Sequence, residues 1–389
     1  MILSRLDRRR FDPVLVCPTD GPLSSRAEDL EVGTRAIEPL KARFTLRPDK
    51  LFRYLTSFSR LIRATRETII REAPDIIHAN SIRGGLVISA ATFGLSVQVI
   101  WHAHDLLPRH PLSVAIRFFS LLSGSNHILA VSKAVAERFR GSLLKLFPRR
   151  VPITVIHNGV DVETFHPVPK LRREIRSELG LDQDAPVIAI VGQLTKRKGQ
   201  LELIESFASF AKELPNSVLL IIGEAMFNRD HDYFQELRTR TLDLGIADRV
   251  KFLGQREDIP ALMNAIDLLV VNSRKEPFGL TVVEAMAVGI PVVATNVDGI
   301  AEIIEPGVTG WLVDPTDKDQ LSARILKTLR NPEARQQVSD RALSEVRLRF
   351  AAERFMSDLH LLYSGLDSKE RLAKRPHPTA QPTHVYPET

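Results

Sequence analysis

Between residues 266 and 295 the sequence permits little besides strand, loop, helix and strand in succession. Ile266-Asp267-Leu268-Leu269-Val270-Val271 reads as a short buried strand, and Pro291-Val292-Val293-Ala294 starts another. Pro277 and Gly279 keep a helix from beginning before about Leu280. Leu280, Val283, Met286 and Ala287 then recur at helical spacing until Gly289 ends the run. Comparable alternation continues through the chain, so the expected class is α/β, with a parallel sheet in each half.

At 389 residues the chain exceeds one ordinary core, and two domains of roughly 150 to 200 residues each are expected. Pro167 and Pro169 interrupt the pattern ahead of a charged helix over 172–179. The first domain is therefore placed at 1–168 and the second at 169–345. A long amphipathic helix is predicted over 339–365. The stretch 366–389, charged and then rich in proline, is expected to be disordered.

The 276–284 block offers chemistry as well as a fold. Glu276 follows Arg274 and Lys275 at the carboxyl end of a strand, where open α/β sheets bind ligands. The amides of Phe278, Gly279 and Leu280 precede the first hydrogen-bonded turn and are free to face an anion such as a diphosphate. Glu284 lies one turn inside the helix, where the dipole favours a carboxylate with or without a ligand. One acid could hold a sugar and the other a ribose, which points to a nucleotide-sugar site. No Gly-x-Gly-x-x-Gly follows any strand, which argues against a dinucleotide-dependent dehydrogenase.

In the first half, residues 75–81 and 97–105 read as strands running into polar loops. His102 and His104 would share one strand face, as a metal pair requires, but no third ligand accompanies them at suitable spacing, so no metal is expected. Ser132 stands where it would cap a helix, and Asn158-Gly159 reads as a turn supplying a positive backbone angle. The single cysteine, Cys17, provides no disulfide framework and suits a reducing compartment, the cytoplasm. Met1 to Arg10 contains too short an apolar run for a secretory signal. The uncharged stretch Gly84 to Trp101, 18 residues long, is divided by Gly94 into a helical and a strand part and is read as soluble core.

Charge is uneven: through residue 168 the chain has 24 Lys and Arg against 15 Asp and Glu, and beyond it 29 against 32. A basic first half suits a polyanionic glycan, a lipid diphosphate or an anionic membrane surface, and a peripheral seat on the inner face of the membrane is expected. Arg53, Arg60, Arg63, Arg66 and Arg71 alternate with Leu51, Phe52, Leu55, Phe58, Leu61 and Ile62, as on a helix lying at a bilayer and equally as on a core-facing helix with one solvated side. Nucleic acid is not an expected partner.

Taken in order, these pieces resemble the family-four retaining glycosyltransferases of the two-Rossmann-domain (GT-B) type. The resemblance covers nearly all of the C-terminal half. It is carried by Val191-Gly192-Gln193-Leu194-Thr195-Lys196-Arg197-Lys198-Gly199, Ile221-Ile222-Gly223-Glu224, Phe252-Leu253-Gly254, the 276–284 block, Asp298-Gly299-Ile300-Ala301-Glu302-Ile303-Ile304 and Gly307-Val308-Thr309-Gly310-Trp311-Leu312-Val313. It implies two Rossmann-like domains with a cleft between them and a C-terminal helix, 346–365, crossing back onto the first domain. The implied reaction is retaining transfer of a hexosyl group from a nucleotide-diphosphate sugar to a glycan or lipid-linked acceptor, in cell-surface polysaccharide or glycolipid biosynthesis, with neither cofactor nor metal.

Carried onto this sequence, the resemblance implies that Glu276 accepts hydrogen bonds from donor-sugar hydroxyls and that Glu284 holds the ribose. Lys198, at the start of the helix after the 187–192 strand, would neutralise the leaving diphosphate together with the amides of Phe278, Gly279 and Leu280. His104, in the His-Asp pair after its strand, is assigned to the donor-sugar side of the cleft, so Lys198, Glu276 and His104 form the catalytic set. The leaving phosphate would take the acceptor proton, and domain closure would exclude water.

The chain departs from the family pattern in two places. Gln193 stands where the family has an arginine, so a fixed charge on the diphosphate is missing, and either Arg197 or the glutamine amide is expected to serve that oxygen. The family also opens with a buried strand and a glycine-rich loop ahead of its first helix. Here Ile2-Leu3-Ser4-Arg5-Leu6 already reads as that helix and leads to the strand Val14–Cys17. The first domain is thus expected to lack its first strand, either through a start codon set too far downstream or because the chain is a fragment. Two other readings follow: a silent nucleotide-sugar or glycan-binding homologue, and a nucleotide-sugar epimerase on the same fold.

Overall fold

The structure, a computed structural model, describes residues 1–18, 21–38, 48–122, 126–146, 150–226 and 228–373. The first half runs α1 (Ile2–Arg5), β1 (Val14–Cys17), α2 (Pro22–Asp29), β2 (Gly33–Ala36), α3 (Pro48–Glu72), β3 (Ile76–Ala79), α4 (Ile82–Ala91), β4 (Gln98–Ala103), α5 (Pro111–Leu122), β5 (Asn126–Ala130), α6 (Lys133–Lys145) and β6 (Ile153–Val155). Among the described residues it holds two parallel sheets, the pair β1-β2 and the four strands β3-β4-β5-β6. Gly94, at φ +75°, separates α4 from β4 as expected of the uncharged run. No helix among the described residues is long and apolar enough to cross a membrane.

The second half continues with α7 (Pro169–Glu178), β7 (Val187–Val191), α8 (Gln200–Phe210), β8 (Val218–Ile222), α9 (Asn228–Asp243), β9 (Val250–Gly254), α10 (Ile259–Ala265), β10 (Leu268–Val271), α11 (Leu280–Val288), β11 (Val292–Thr295), α12 (Ile300–Ile303), β12 (Trp311–Val313), α13 (Lys318–Arg330), α14 (Pro332–Arg349) and α15 (Ala352–Ala373). Its six strands are all parallel, in the order β12-β11-β10-β7-β8-β9. Helices cover both faces, which is why β10 and β11 can be buried at every position. The strand order reverses direction between β7 and β10, and such a switch point opens a crevice beyond the carboxyl ends of the two strands.

Two expectations are corrected. The helix predicted over 339–365 is two helices, α14 and α15, broken at Phe350-Ala351. The break has a distant cause: Val160 N–H donates to the Phe350 carbonyl at 2.8 Å and Ala352 N–H to the Val160 carbonyl at 2.9 Å, taking backbone groups a continuous helix would use itself. The helix expected at 346–365 is accordingly α15, which packs Phe355, Met356, Leu359 and Tyr363 against Ile100, Leu129 and Ile156 of the first half. It runs on to Ala373, into the stretch expected to be disordered; residues 374–389 lie outside the described residues.

The second correction concerns Asn158-Gly159, where neither residue has a positive φ. Gly159 is needed for space instead, because a Cβ there would lie 2.8 Å from the Ala352 Cα.

Candidate functional site

The loops after β7 and β10 flank the switch point and are fastened to each other. Gly199, at φ +72°, lets the first loop approach so closely that a Cβ would lie 2.2 Å from the Asn272 carbonyl oxygen. Asn272 Nδ2 donates to the Gly199 carbonyl at 3.0 Å, Arg274 N–H to the Arg197 carbonyl at 2.8 Å and Arg197 Nη1 to the Lys275 carbonyl at 2.9 Å. This zipper brings Lys198 to Glu276, Nζ donating to Oε2 at 2.6 Å. Ser273 Oγ donates to the same oxygen at 2.9 Å, and Arg197 Nη1 stands 3.8 Å away. Both side chains of the pair are largely buried, so the ion pair is little screened by water. Gly192, at φ +144°, lies under the Lys198 stem, which would stand 3.5 Å from a Cβ at that position.

Helix α11 begins behind this pair. Gly279, at φ +112°, is its N-cap, and among the described residues the amides of Phe278, Gly279 and Leu280 have no acceptor. Three donors at the positive end of a helix, beside Lys198 and Arg197, form a site for a strongly charged anion. Glu284 lies one turn further on, and its carboxylate has no hydrogen-bond partner among the described residues. Burial pushes its carboxyl up to about 7. A desolvated acceptor of this kind gains most from paired hydroxyl donors such as a ribose diol offers.

Gln193 is held by Asp230. Its Nε2 donates to Asp230 Oδ2 at 3.0 Å, in the first turn of α9, and its carbonyl accepts from Gln200 Nε2 at 3.0 Å. Arg197 is the second cation beside the pair, although its guanidinium is engaged with the Lys275 carbonyl.

His104 belongs to a separate group of imidazoles in the first half. Its Nε2 lies 2.9 Å from Asn80 Oδ1, and its ring lies 3.9 Å, centroid to centroid, from that of His102. Behind it His102 Nδ1 stands 3.0 Å from His78 Nε2, whose Nδ1 is 2.6 Å from the Tyr363 hydroxyl on α15. Burial lowers all three histidines, His78 to about 4 and His102 to about 2, so the cluster is neutral at physiological pH. Lys198, Glu276, Arg197 and the three amides are thus assembled on the second half, while His104 makes its contacts within the first. Among the described residues no group of three or more His, Cys, Asp or Glu side chains could hold a metal ion.

Sequence reasoning passed over three site residues. Ser273 shares the Glu276 oxygen with Lys198, Asp298 accepts the Glu276 backbone N–H at 3.1 Å, and Asp230 holds Gln193. Asp298, at φ +39°, was visible only as part of the 298–304 motif.

A doubly wound parallel sheet with open amides and two carboxylates beside its switch point has the architecture of a GT-B domain. Two family models agree: residues 1–164 match Glycosyltransferase Family 4, and residues 172–344 match Glycosyl transferases group 1. The chain belongs to this glycosyltransferase family and has its fold, two Rossmann-like domains. It is 27% identical over 233 residues to N-acetyl-alpha-D-glucosaminyl L-malate synthase of Bacillus anthracis, covering 60% of this chain and 59% of the relative. It is 30% identical over 278 residues to alpha-maltose-1-phosphate synthase of Mycobacterium tuberculosis, covering 66% and 69%. Among solved structures, Anabaena Alr3699/HepE in complex with UDP and glucose superposes with a TM-score of 0.77 at 27% identity, over 93% of this chain and 94% of that one.

Proposed function

We propose that this protein transfers a hexosyl group from a nucleoside-diphosphate sugar to a glycan or lipid-linked acceptor, with retention at the anomeric carbon. One observation carries the reading: the open amides of 278–280 start α11 just after Glu276, which holds Lys198, and the unpartnered Glu284 follows one turn into the helix. In this reading the amides, Lys198 and Arg197 balance the diphosphate charge without a metal or other cofactor, Glu284 takes the ribose, and Glu276 accepts from the sugar hydroxyls as Lys198 turns to phosphate. His104 approaches the sugar from the first domain, 1–168, when that domain closes on the second, 169–345. The Anabaena protein, solved with UDP and with UDP-glucose, supports a nucleotide-sugar donor.

The basic first half supports an anionic acceptor or a peripheral membrane seat. On α3, Phe52 and Leu55 are exposed beside its arginines, although Arg66 is spent on the Ala91 and Phe93 carbonyls. The test is incubation with a panel of nucleotide sugars and candidate acceptors, with release of nucleoside diphosphate and the anomeric configuration of the product as readouts. Binding of a donor without turnover across the panel would favour the silent homologue, a reading that the engagement of Gln193 with Asp230 keeps open.

A further inference from the structure

The two halves meet at the first turn of α6, and that junction reaches the loop carrying the open amides. We propose that Glu302 and Ser132 are positioning residues that aim this loop at the donor diphosphate from across the domain boundary. The proposal rests on the nucleotide-sugar reading above.

Ser132 caps α6 by accepting the Val135 N–H at 3.1 Å, and its own hydroxyl donates to the Pro277 carbonyl at 2.6 Å. That carbonyl shares a trans peptide with the Phe278 N–H, and in a trans peptide the two groups point in opposite directions. Holding the oxygen toward the first half therefore turns the Phe278 donor away from it, toward the ligand side.

The opposite flank of the loop is held by residues 298–302. Gly299 N–H donates to the Glu276 carbonyl at 3.0 Å, and a Cβ on Gly299 would lie 2.4 Å from the Pro277 oxygen, so the two backbones lie flush. From α12 the Glu302 carboxylate then crosses to the first half. Its Oε2 accepts from Lys133 N–H at 2.9 Å and its Oε1 from Ala134 N–H at 2.8 Å, with His157 Nε2 3.0 Å from Oε2. It thus satisfies donors that a helix start leaves open, at the positive end of the α6 dipole. The His157 ring stacks on Phe278 at 5.7 Å between centroids, tying the junction to the same loop a second time. These bonds join residues 145 to 169 positions apart, so neither half needs them for its own sheet.

The experiment compares the full chain with Glu302→Ala, Glu302→Gln and Ser132→Ala. In Glu302→Ala the amides of Lys133 and Ala134 are expected to exchange hydrogen faster than in wild type, with the remainder of α6 unchanged. Donor turnover should fall about tenfold to a hundredfold, as for reacting groups misplaced by an ångström, chiefly in kcat. Glu302→Gln keeps one acceptor oxygen and should recover part of the loss, while Ser132→Ala should weaken binding of UDP or GDP. Wild-type turnover in Glu302→Ala would overturn the positioning role. If wild type turns over no donor, the functional reading fails, and hydrogen exchange still decides the junction: unchanged exchange at Lys133 and Ala134 overturns it.

Discussion

Lys198 Nζ and Glu276 Oε2 lie 2.6 Å apart, although their residues stand 78 positions apart in the chain. In the proposed function the cation serves phosphate and the carboxylate serves the sugar hydroxyls, so a bound donor would have to divide the pair. Until then each neutralises the other in a largely buried setting.

Removing one member should therefore cost more than removing both. Lys198→Met leaves buried Glu276 with only the more distant Arg197, 3.8 Å away, and is expected to destabilise by about 3 kcal/mol, while the double variant Lys198→Met/Glu276→Gln recovers much of that. Both should lose donor turnover. Urea unfolding of both single variants and the double measures the stabilities, and a double-variant loss equal to the sum of the single losses would show that the pair is not coupled.

Glu284 sets a pH dependence for donor binding. Its folded-state pKa, about 7, lies above the ordinary 4.5, so its contribution to stability is complete below 4.5 and is lost as pH rises through 7. Glu284→Gln should therefore gain stability over wild type at pH 8, on the order of 1 to 3 kcal/mol. Nucleotide affinity should run the opposite way in wild type, weakening from pH 8 to pH 6 as the acceptor is protonated. Calorimetric titration of UDP and GDP checks this, with a flat profile expected for Glu284→Gln.

The buried histidines set a second dependence, in the acid range. Unfolded histidines protonate near pH 6.5, whereas His78 and His102 stay neutral in the fold down to about 4 and about 2. The unfolded chain therefore binds more protons below 6.5, and stability falls with pH over that window by up to about 1.4 kcal/mol per unit for each histidine. His102→Phe should reduce the slope by one proton. Unfolding free energies at pH 7, 6 and 5 give the slope directly, and an unaltered slope would assign the effect elsewhere.

Gln193→Arg should strengthen diphosphate binding. A guanidinium at this loop adds a charge-assisted hydrogen bond, and about fivefold tighter UDP or GDP binding is expected even with Asp230 as a competitor. Asp230→Asn in the same background should add to the gain by removing that competitor.

Local chemistry was the legible part of the molecule. Glu276 and the amides of 278–280 could be placed from Pro277, Gly279 and the strand before them, because a strand end, a turn and a helix start each leave a mark within a few residues. The β7–β10 switch point follows from the same alternation. Features with distant causes could not be read. Phe350-Ala351 continues a helical pattern and breaks only because Val160 captures its backbone, and Gly159 resembles a turn glycine while serving as clearance for Ala352. Glu302 stands in a recognisable motif, yet its amide partners are 168 and 169 residues away. Gln193 was expected at the diphosphate, and its amide bonds Asp230, on a helix whose approach no local pattern records.

The Val160 bridge also governs how the halves can move. The polypeptide leaves the first half just beyond Val160 and returns to it through Ala352, and the two passages are bonded side by side. A two-ply link of this kind is expected to favour rocking over sliding or separation. Opening and closing should then be a one-parameter swing, with Gly159 and Phe350 at its axis.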